Sequence, residues 1–237
     1  AVSPTRRVGF TGSGAKAGTA RTFDDPAGEP AVIEADGQVT SQKNVALGMF
    51  AADCLPVLMA DPEAGVIGAA HCGRRGLQQG VIGATIGAMA AKGAKPERIV
   101  ATLGPCICGD RYEVGGDIAD EFDAQFPGTF TLSRFGQPGI DIAAAALQEL
   151  AKAGVPADNI VSSRPRVNAA TQYLSEDEEL AMLCQSDGEG EPQLSERFRN
   201  IRRSLCTLEN PLWFSHRRAA LAGKRHEGRM LALIVRE

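Results

Sequence analysis

The sequence has little excess of charge and no long apolar run. Its 237 residues carry a formal net charge of -4 at pH 7, and its pI is near 5.5. A general binder of nucleic acid or of a membrane surface needs a dominant basic face, so both roles are excluded. No apolar run approaches the ~20 residues of a membrane span, and no secretory leader opens the chain. We therefore expect a cytoplasmic protein.

Several familiar catalytic motifs are also missing. The sequence contains no Walker A loop, Rossmann glycine fingerprint, GxSxG elbow or HExxH helix, which removes the mechanism classes built on them. It has three histidines and six cysteines. Because a chain of this length can bury a sufficient core, the cysteines need not form disulfides. The CxC at 106–108 lacks the second cysteine pair of a structural zinc finger.

Hydrophobic patterning indicates an α/β fold in one domain, 1–237. Helical periodicity runs from Leu77 to Met89, Asp117 is in place to cap a helix carrying Phe122, and Asp141 precedes another helix. Short apolar runs bounded by turn residues are typical of buried strands, and they lie at 45–51, 55–60, 66–70, 98–103, 159–163 and 229–235.

Two regions depart from this rhythm. Residues 1–30 are rich in Gly, Pro, Thr and Arg, which favours loop or edge structure. Residues 164–203 hold an acidic block, in which Ser175 and Glu178 match a capping box, followed by polar and basic stretches. We interpret the second region as a solvated helical insertion.

Cys54 and His71 are the candidate metal ligands. Thiolate and imidazole bind zinc strongly, and a strand-turn-strand between the two residues can bring both to one end of a sheet. The alternatives are two satisfied core residues or a thiol hydrolase that uses Cys54 with His71. Asp53 would orient an imidazole or a substrate group, or would simply be a turn aspartate.

Arginines near these residues suggest an anion-binding site. Guanidinium groups bind phosphate and carboxylate in a bidentate manner, although surface salt bridges are the alternative. His216 and His226 are further candidates for a missing metal ligand or for a general acid or base. The arginines concerned are Arg74, Arg75, Arg217, Arg218 and Arg229.

A set of ordered motifs resembles the YfiH-like, laccase-domain family, whose members are also called polyphenol oxidases and purine nucleoside phosphorylases. The matches cover about residues 35–160 and 205–237. They are ADG at 35–37, ADCLPVLMAD at 52–61, HCGRRG at 71–76, GPCICGDRYEVGG at 104–116, CT at 206–207, FSHRR at 214–218 and GR at 228–229.

The resemblance implies a sandwich of mixed β-sheets flanked by helices and a metal site of two histidines and one cysteine. Cys54 and His71 match two of these ligands. The implied activity is zinc-dependent phosphorolysis of adenosine, inosine and methylthioadenosine, with deamination of adenosine beside it. A nucleoside and phosphate are then the partners, and by analogy Arg75, Arg217, Arg218 and Arg229 contact phosphate or substrate.

The chain departs from the family pattern in two places. The usual HAGWRG is HCGRRG at 71–76, and the QVHG or QVHS segment that carries the first histidine ligand is absent. Val2 or the AKAG at 15–18 stands where that segment belongs, so we expect a chain that is short at its N-terminus. Two alternatives remain: a copper polyphenol oxidoreductase, for which a multicopper centre would need many more histidines, and a degenerate, non-catalytic member.

Overall fold

The computed structural model describes residues 7–11, 20–22, 35–174, 201–225 and 227–237. All six predicted strands are present, with bounds that agree within one or two residues. The strands in these ranges are β1 (Arg7–Thr11), β2 (Ala20–Thr22), β3 (Gly37–Thr40), β4 (Val45–Ala51), β5 (Leu55–Asp61), β6 (Val66–Cys72), β7 (Val100–Leu103), β8 (Phe130–Leu132), β9 (Pro138–Ile140), β10 (Ile160–Val161) and β11 (Met230–Val235).

The strands form mixed sheets, as the resemblance implies. A six-stranded sheet has the order β10-β7-β5-β6-β3-β2, with antiparallel strands at its centre and a parallel pair at each edge. A three-stranded sheet has the order β1-β4-β11. Leu47 and Met49 of β4 pack against Ile67 and Ala69 of β6, so the two sheets share a small apolar layer. The predicted α/β sandwich is confirmed.

The helix Val81–Ala90 packs against β3 and β6 on the other face of the six-stranded sheet. Within the described residues the helices are α1 (Arg74–Gln78), α2 (Val81–Ala90), α3 (Gly116–Gln125), α4 (Ile142–Lys152), α5 (Arg164–Leu174) and α6 (His216–Leu221). The periodic segment from Leu77 to Met89 forms two helices rather than one, because Gly80 adopts a left-handed φ of 75°. None of the helices in these ranges combines the length and apolar character that a membrane crossing requires.

The two predicted helix caps differ in outcome. The side chain of Asp141 accepts hydrogen bonds from the backbone amides of Ala143 and Ala144, both at 3.0 Å, which confirms it as the N-cap of α4. The prediction for Asp117 is wrong. Gly115 is the N-cap of α3, and Asp117 already has a helical backbone in the first turn, where its charge faces the positive end of the helix dipole.

The two regions that break the α/β rhythm are described only in part. β1 and β2 are edge strands of their sheets, in agreement with the expectation for residues 7–11 and 20–22. Helix α5 begins where the predicted insertion begins. Residues 175–200, with Ser175 and Glu178, lie outside the described residues, so the insertion stays a prediction.

A buried aspartate closes the hairpin of β5 and β6. Asp61 Oδ1 accepts from the amides of Glu63 and Ala64, and Oδ2 accepts from the Lys95 amide and from Arg98 Nε and Nη2, at 2.7 to 3.0 Å. The Asp61 side chain is fully buried. Burial opposes its ionisation, but the hydrogen bonds from Arg98 and the amides outweigh burial and lower its pKa to about 2. The carboxylate is therefore charged at any ordinary pH.

We predict that Asp61→Ala lowers the free energy of unfolding by about 2–3 kcal/mol, because buried amides and a guanidinium lose a charged acceptor. Glu63→Ala is the matched control. Its carboxylate binds the same Arg98 at 2.9 Å, but its side chain is 72% exposed, so we expect a change below about 0.5 kcal/mol. Urea unfolding of both variants measures the difference, and equal losses would contradict the assigned role of Asp61.

Candidate functional site

The pairing of β5 with β6 brings Cys54 and His71 together. Leu55 pairs with Cys72 and Pro56 pairs with His71, so the residue before β5 and the end of β6 meet at one end of the sheet. Both Cys54 and His71 line a cavity of about 290 Å³. A Cβ atom at Gly73 would lie 3.0 Å from Cys54 Sγ, which is closer than most Cβ contacts, so a larger residue there would press against the thiol.

His71 is a buried imidazole with two acidic neighbours. Its Nδ1 lies 3.4 Å from Asp36 Oδ1, and its backbone amide donates to the Asp36 carbonyl at 2.8 Å. Burial lowers the pKa of His71, but hydrogen bonds with Asp36 and Cys54, together with their charges, raise it to about 9. Because Nδ1 faces Asp36, Nε2 is the nitrogen available to a metal.

Asp53 binds three other segments of the chain rather than the imidazole. Its carboxylate accepts from Thr207 Oγ1 at 2.6 Å and from the Arg217 amide at 2.7 Å, and its carbonyl accepts from the Ile107 amide at 2.9 Å. Asp53 has a φ of 91°, which is uncommon for a residue other than glycine. It lines the cavity and holds the neighbouring loops, while Asp36 contacts His71.

Two of the four predicted anion-binding arginines reach the cavity. Arg217 and Arg229 line it. Arg75 is exposed on α1 and is not among the lining residues. Arg218 donates to the carbonyls of Thr207 and Trp213, so it holds the loop before α6. The sequence could not separate these four, because the contacts that distinguish them join distant parts of the chain.

The remaining lining of the cavity combines aromatic and apolar side chains with charged ones. The Arg217 guanidinium lies 5.4 Å from the centre of the Tyr112 ring, and burial raises the pKa of Tyr112, so its hydroxyl stays protonated at neutral pH. His216 Nδ1 lies 3.3 Å from Glu227 Oε1, and Arg229 Nη2 lies 3.6 Å from the same oxygen. The apolar lining residues are Phe50, Ala52, Ile107 and Ile142.

Sequence reasoning assigned no role to Asp36, Tyr112 or Glu227. Asp36 and Tyr112 lie inside the matched motifs ADG and GPCICGDRYEVGG, so the motif matches could have identified both residues as candidates for the site. Glu227 directly precedes the matched GR at 228–229. Its part in the site follows only from the three-dimensional contacts.

The chemistry of Cys54 and His71 fits a zinc or copper ion, since thiolate and imidazole suit both metals. Within the described residues, however, no other His, Cys, Asp or Glu side chain lies close enough to both Cys54 and His71 to complete a set of three ligands. The one set of three potential ligands in those residues is Cys108, Cys206 and Glu209. His226, one of the candidates for a third ligand, lies outside the described residues, as do Val2 and 15–18, where the absent histidine segment would belong. The described site therefore supplies two ligands.

We predict that Asp36→Asn lowers the pKa of His71 in metal-free protein from about 9 toward its ordinary value of 6.5. A raised folded-state pKa contributes stability fully below pH 6.5, and this contribution disappears as the pH rises through 9. The variant should therefore lose stability at acidic and neutral pH but little at high pH. NMR titration of the imidazole and urea unfolding across this range measure both effects.

Glu227→Gln is the control for this experiment, because it removes the same charge from a residue that lines the same cavity. It should leave the pKa of His71 near that of the unsubstituted protein. An equal fall in both variants would show that Asp36 acts only through the general charge of the cavity.

The chain resembles prokaryotic proteins whose names assign them enzymatic activity on purine nucleosides. It is 46% identical over 133 residues to a purine nucleoside phosphorylase of Streptomyces griseus, covering 56% of this chain and 54% of the relative. It is 47% identical over 126 residues to a purine nucleoside phosphorylase of Deinococcus radiodurans, covering 53% and 50%. It is also 36% identical over 148 residues to the adenosine deaminase RL5 of an unknown prokaryotic organism, covering 61% and 56%. The chain spans about half the length of the curated relatives it matches.

Solved structures share the fold. YfiH of Bacillus licheniformis superposes with a TM-score of 0.68 at 23% identity, over 96% of this chain and 74% of that chain. YlmD of Geobacillus stearothermophilus gives 0.61 at 27% identity, over 87% and 63%. The family model described as multi-copper polyphenol oxidoreductase laccase matches residues 14–177. The chain belongs to this laccase-like family, in which YfiH is a structural relative.

Proposed function

We propose that the protein is a zinc-dependent enzyme that cleaves purine nucleosides with phosphate, acting on adenosine, inosine and methylthioadenosine. The observation that carries this proposal is that Cys54 and His71 open into the same cavity as Arg217 and Arg229. A potential metal site and two cationic side chains thus face one space. The names of the relatives support the same reaction.

Cys54 Sγ and His71 Nε2 would hold the metal. Zinc bound there would supply Lewis acidity next to the reacting atoms. Asp36 holds the imidazole through Nδ1, as carboxylates commonly do for metal-ligating histidines. Asp53 fixes the loops on both sides of Cys54 through Ile107, Thr207 and the Arg217 amide. The chain thereby fixes both ligands before substrate arrives.

The two arginines would bind phosphate. Arg217 Nη1 donates to the Glu113 carbonyl at 2.9 Å, which fixes the guanidinium above Tyr112 and leaves its other donors for an anion. Arg229 shares Glu227 with His216, so an incoming phosphate would compete with a carboxylate 3.6 Å away. A phosphate dianion offers Arg229 more acceptor oxygens than its single contact with Glu227 does, so phosphate can replace Glu227 as the partner of Arg229.

The apolar wall would hold the purine. Phe50 and Tyr112 offer ring faces, and a volume of about 290 Å³ is at the lower end for small-molecule sites. In the reaction a phosphate oxygen bonds to ribose C1′, the C1′–N bond breaks, and the departing base takes a proton. His216, held by Glu227, is a second imidazole on the cavity wall besides that of His71 and would give that proton.

Deamination of adenosine is the second activity we propose, because one relative carries that name. In that reaction water adds to C6 of the adenine ring, the bond from C6 to the amino group breaks, and ammonia leaves; zinc held by Cys54 and His71 would supply the Lewis acidity for it. Release of ammonia from adenosine without phosphate tests it. Copper-dependent oxidation of polyphenols is the alternative that the family description supplies. Oxygen uptake with a phenolic substrate and copper would favour it over nucleoside chemistry.

Metal content separates a zinc enzyme from a degenerate binding protein. We predict about one zinc per chain in purified protein, and its loss in Cys54→Ala, because the ion would lose one of its two described ligands. Cys72→Ala is the matched control. Cys72 is the buried neighbour of His71, and the related HAGWRG motif has alanine there, so zinc should be retained. Zinc that stays bound in Cys54→Ala would overturn the assigned site.

Substitution of the cavity arginines tests phosphate binding. We predict that Arg229→Gln raises the KM for phosphate about tenfold or more, since one charge-assisted hydrogen bond is worth about 1.5–3 kcal/mol. Arg75→Gln removes an equal charge from exposed α1 and should leave this KM unchanged. Initial rates of adenine release at varied phosphate provide the measurement. A larger increase in the KM for phosphate in Arg75→Gln than in Arg229→Gln would show that phosphate binds outside the cavity.

A further inference from the structure

A pair of sulfur atoms lies outside the cavity that Cys54 and His71 line. Cys108 Sγ and Cys206 Sγ are 2.7 Å apart, although the two residues are 98 positions apart in sequence. Both line a separate cavity of about 470 Å³. Nothing in the proposed reaction uses these two side chains.

The backbone holds the two thiols together. The Cys106 amide donates to the Leu205 carbonyl at 3.1 Å, and the Thr207 amide donates to the Cys106 carbonyl at 3.0 Å. These bonds pair the loop at 106–108 with the segment at 205–207 as a short parallel bridge. The sulfur atoms are therefore positioned by a ladder on their own segments, and their contact does not depend on a flexible side chain.

The Cys206 sulfur is surrounded by hydrogen-bond donors. The Cys108 amide lies 3.4 Å from it, and the amides of Leu208 and Glu209 also donate to it. Several backbone N–H groups that converge on one atom stabilise an anion there. The donation from the Cys108 thiol and these amides lowers the pKa of Cys206 to about 7, although burial raises it. Cys206 is the better nucleophile of the pair.

The local geometry favours a disulfide over a metal ion. Two thiolates on one tetrahedral zinc, each at about 2.3 Å, would lie roughly 3.8 Å apart, whereas sulfur atoms in a disulfide are about 2.05 Å apart. The observed 2.7 Å is nearer the second value. Glu209, the third member of this group, already accepts from the Arg202 amide at 2.5 Å and lies 3.5 Å from Arg111 Nη2. Its carboxylate is thus occupied by cationic and amide partners.

We propose that Cys108 and Cys206 form a redox-active thiol pair that hydroperoxides oxidise to a disulfide. The Cys206 thiolate attacks a peroxide oxygen, the O–O bond breaks, and the departing hydroxide takes a proton to leave as water. Cys206 is then a sulfenic acid. The sulfur of Cys108 attacks that of Cys206, the S–O bond breaks, and the oxygen leaves as water with the Cys108 proton. Two thiols and one hydrogen peroxide thus give one disulfide and two waters.

This oxidation would act on the loops around Asp53. Ile107 lies between Cys106 and Cys108 and donates to the Asp53 carbonyl, and Thr207 follows Cys206 and donates to the Asp53 carboxylate. A Cys108–Cys206 disulfide would covalently join the two segments that hold Asp53 beside Cys54. The modification site is therefore next to the proposed active site, but its chemistry does not depend on the proposed function.

Peptide mapping of the whole protein tests the proposal. Reduced protein is treated with hydrogen peroxide, the remaining thiols are alkylated, and the digest is analysed by mass spectrometry without reductant. We expect a cross-linked peptide pair containing Cys108 and Cys206, which dithiothreitol separates. Cys106→Ser, a change at a buried neighbour on the same loop, should give the same cross-link. Cys108→Ser should instead leave a sulfenic acid at Cys206 that dimedone traps.

Two results would overturn the proposal. The first is peroxide-treated protein in which Cys108 and Cys206 are alkylated separately, without a cross-link. The second is zinc that Cys54→Ala retains and Cys206→Ser loses, because it would make the cluster a metal site. The mapping of unsubstituted protein needs no variant, so a folding defect in Cys206→Ser cannot hide the first result.

Discussion

The antiparallel pairing of β5 with β6 is the interaction on which the site depends. Its register places Cys54 and His71 at the same end of the six-stranded sheet, and a slip of one residue would turn the His71 side chain to the opposite face. The register is fixed at the other end of the hairpin by the buried Asp61 carboxylate and its amide partners. A charged group far from the cavity thus determines whether the two candidate ligands meet.

The second constraint is Asp53, which joins three segments that are far apart in sequence. Ile107, Thr207 and Arg217 all donate to it, so one aspartate with a left-handed backbone orders the loop after β7 and the start of α6. Because its amide donates to Asp53, Arg217 is positioned together with Cys54, which follows Asp53 directly and precedes β5. This explains how loops that are distant in sequence keep fixed positions around the cavity.

Local patterns predicted most of the fold and only part of the site. Apolar runs gave β4 to β6 and β11, and Asp141 acts within its own helix turn, so both could be predicted from neighbouring residues. Asp36, rather than Asp53, is the partner of His71 because β3 pairs with β6. Short-range periodicity in the sequence carries no information about that strand pairing. For the same reason the sequence could not show which arginines line the cavity, since Arg75 and Arg217 differ only in their contacts with distant parts of the chain.

Proton and metal compete for the same imidazole. The contacts of His71 with Asp36 and Cys54 favour the protonated ring in metal-free protein. The same partners favour a metal, because Asp36 makes the ring a more basic ligand and Cys54 adds a thiolate. A metal ion must displace one proton from His71, so its apparent affinity rises with pH until the ring is neutral. Asp36 and Cys54 contact His71 in both its protonated and its metal-bound form. They therefore stabilise a positive charge at this position whether the proton or the metal carries it.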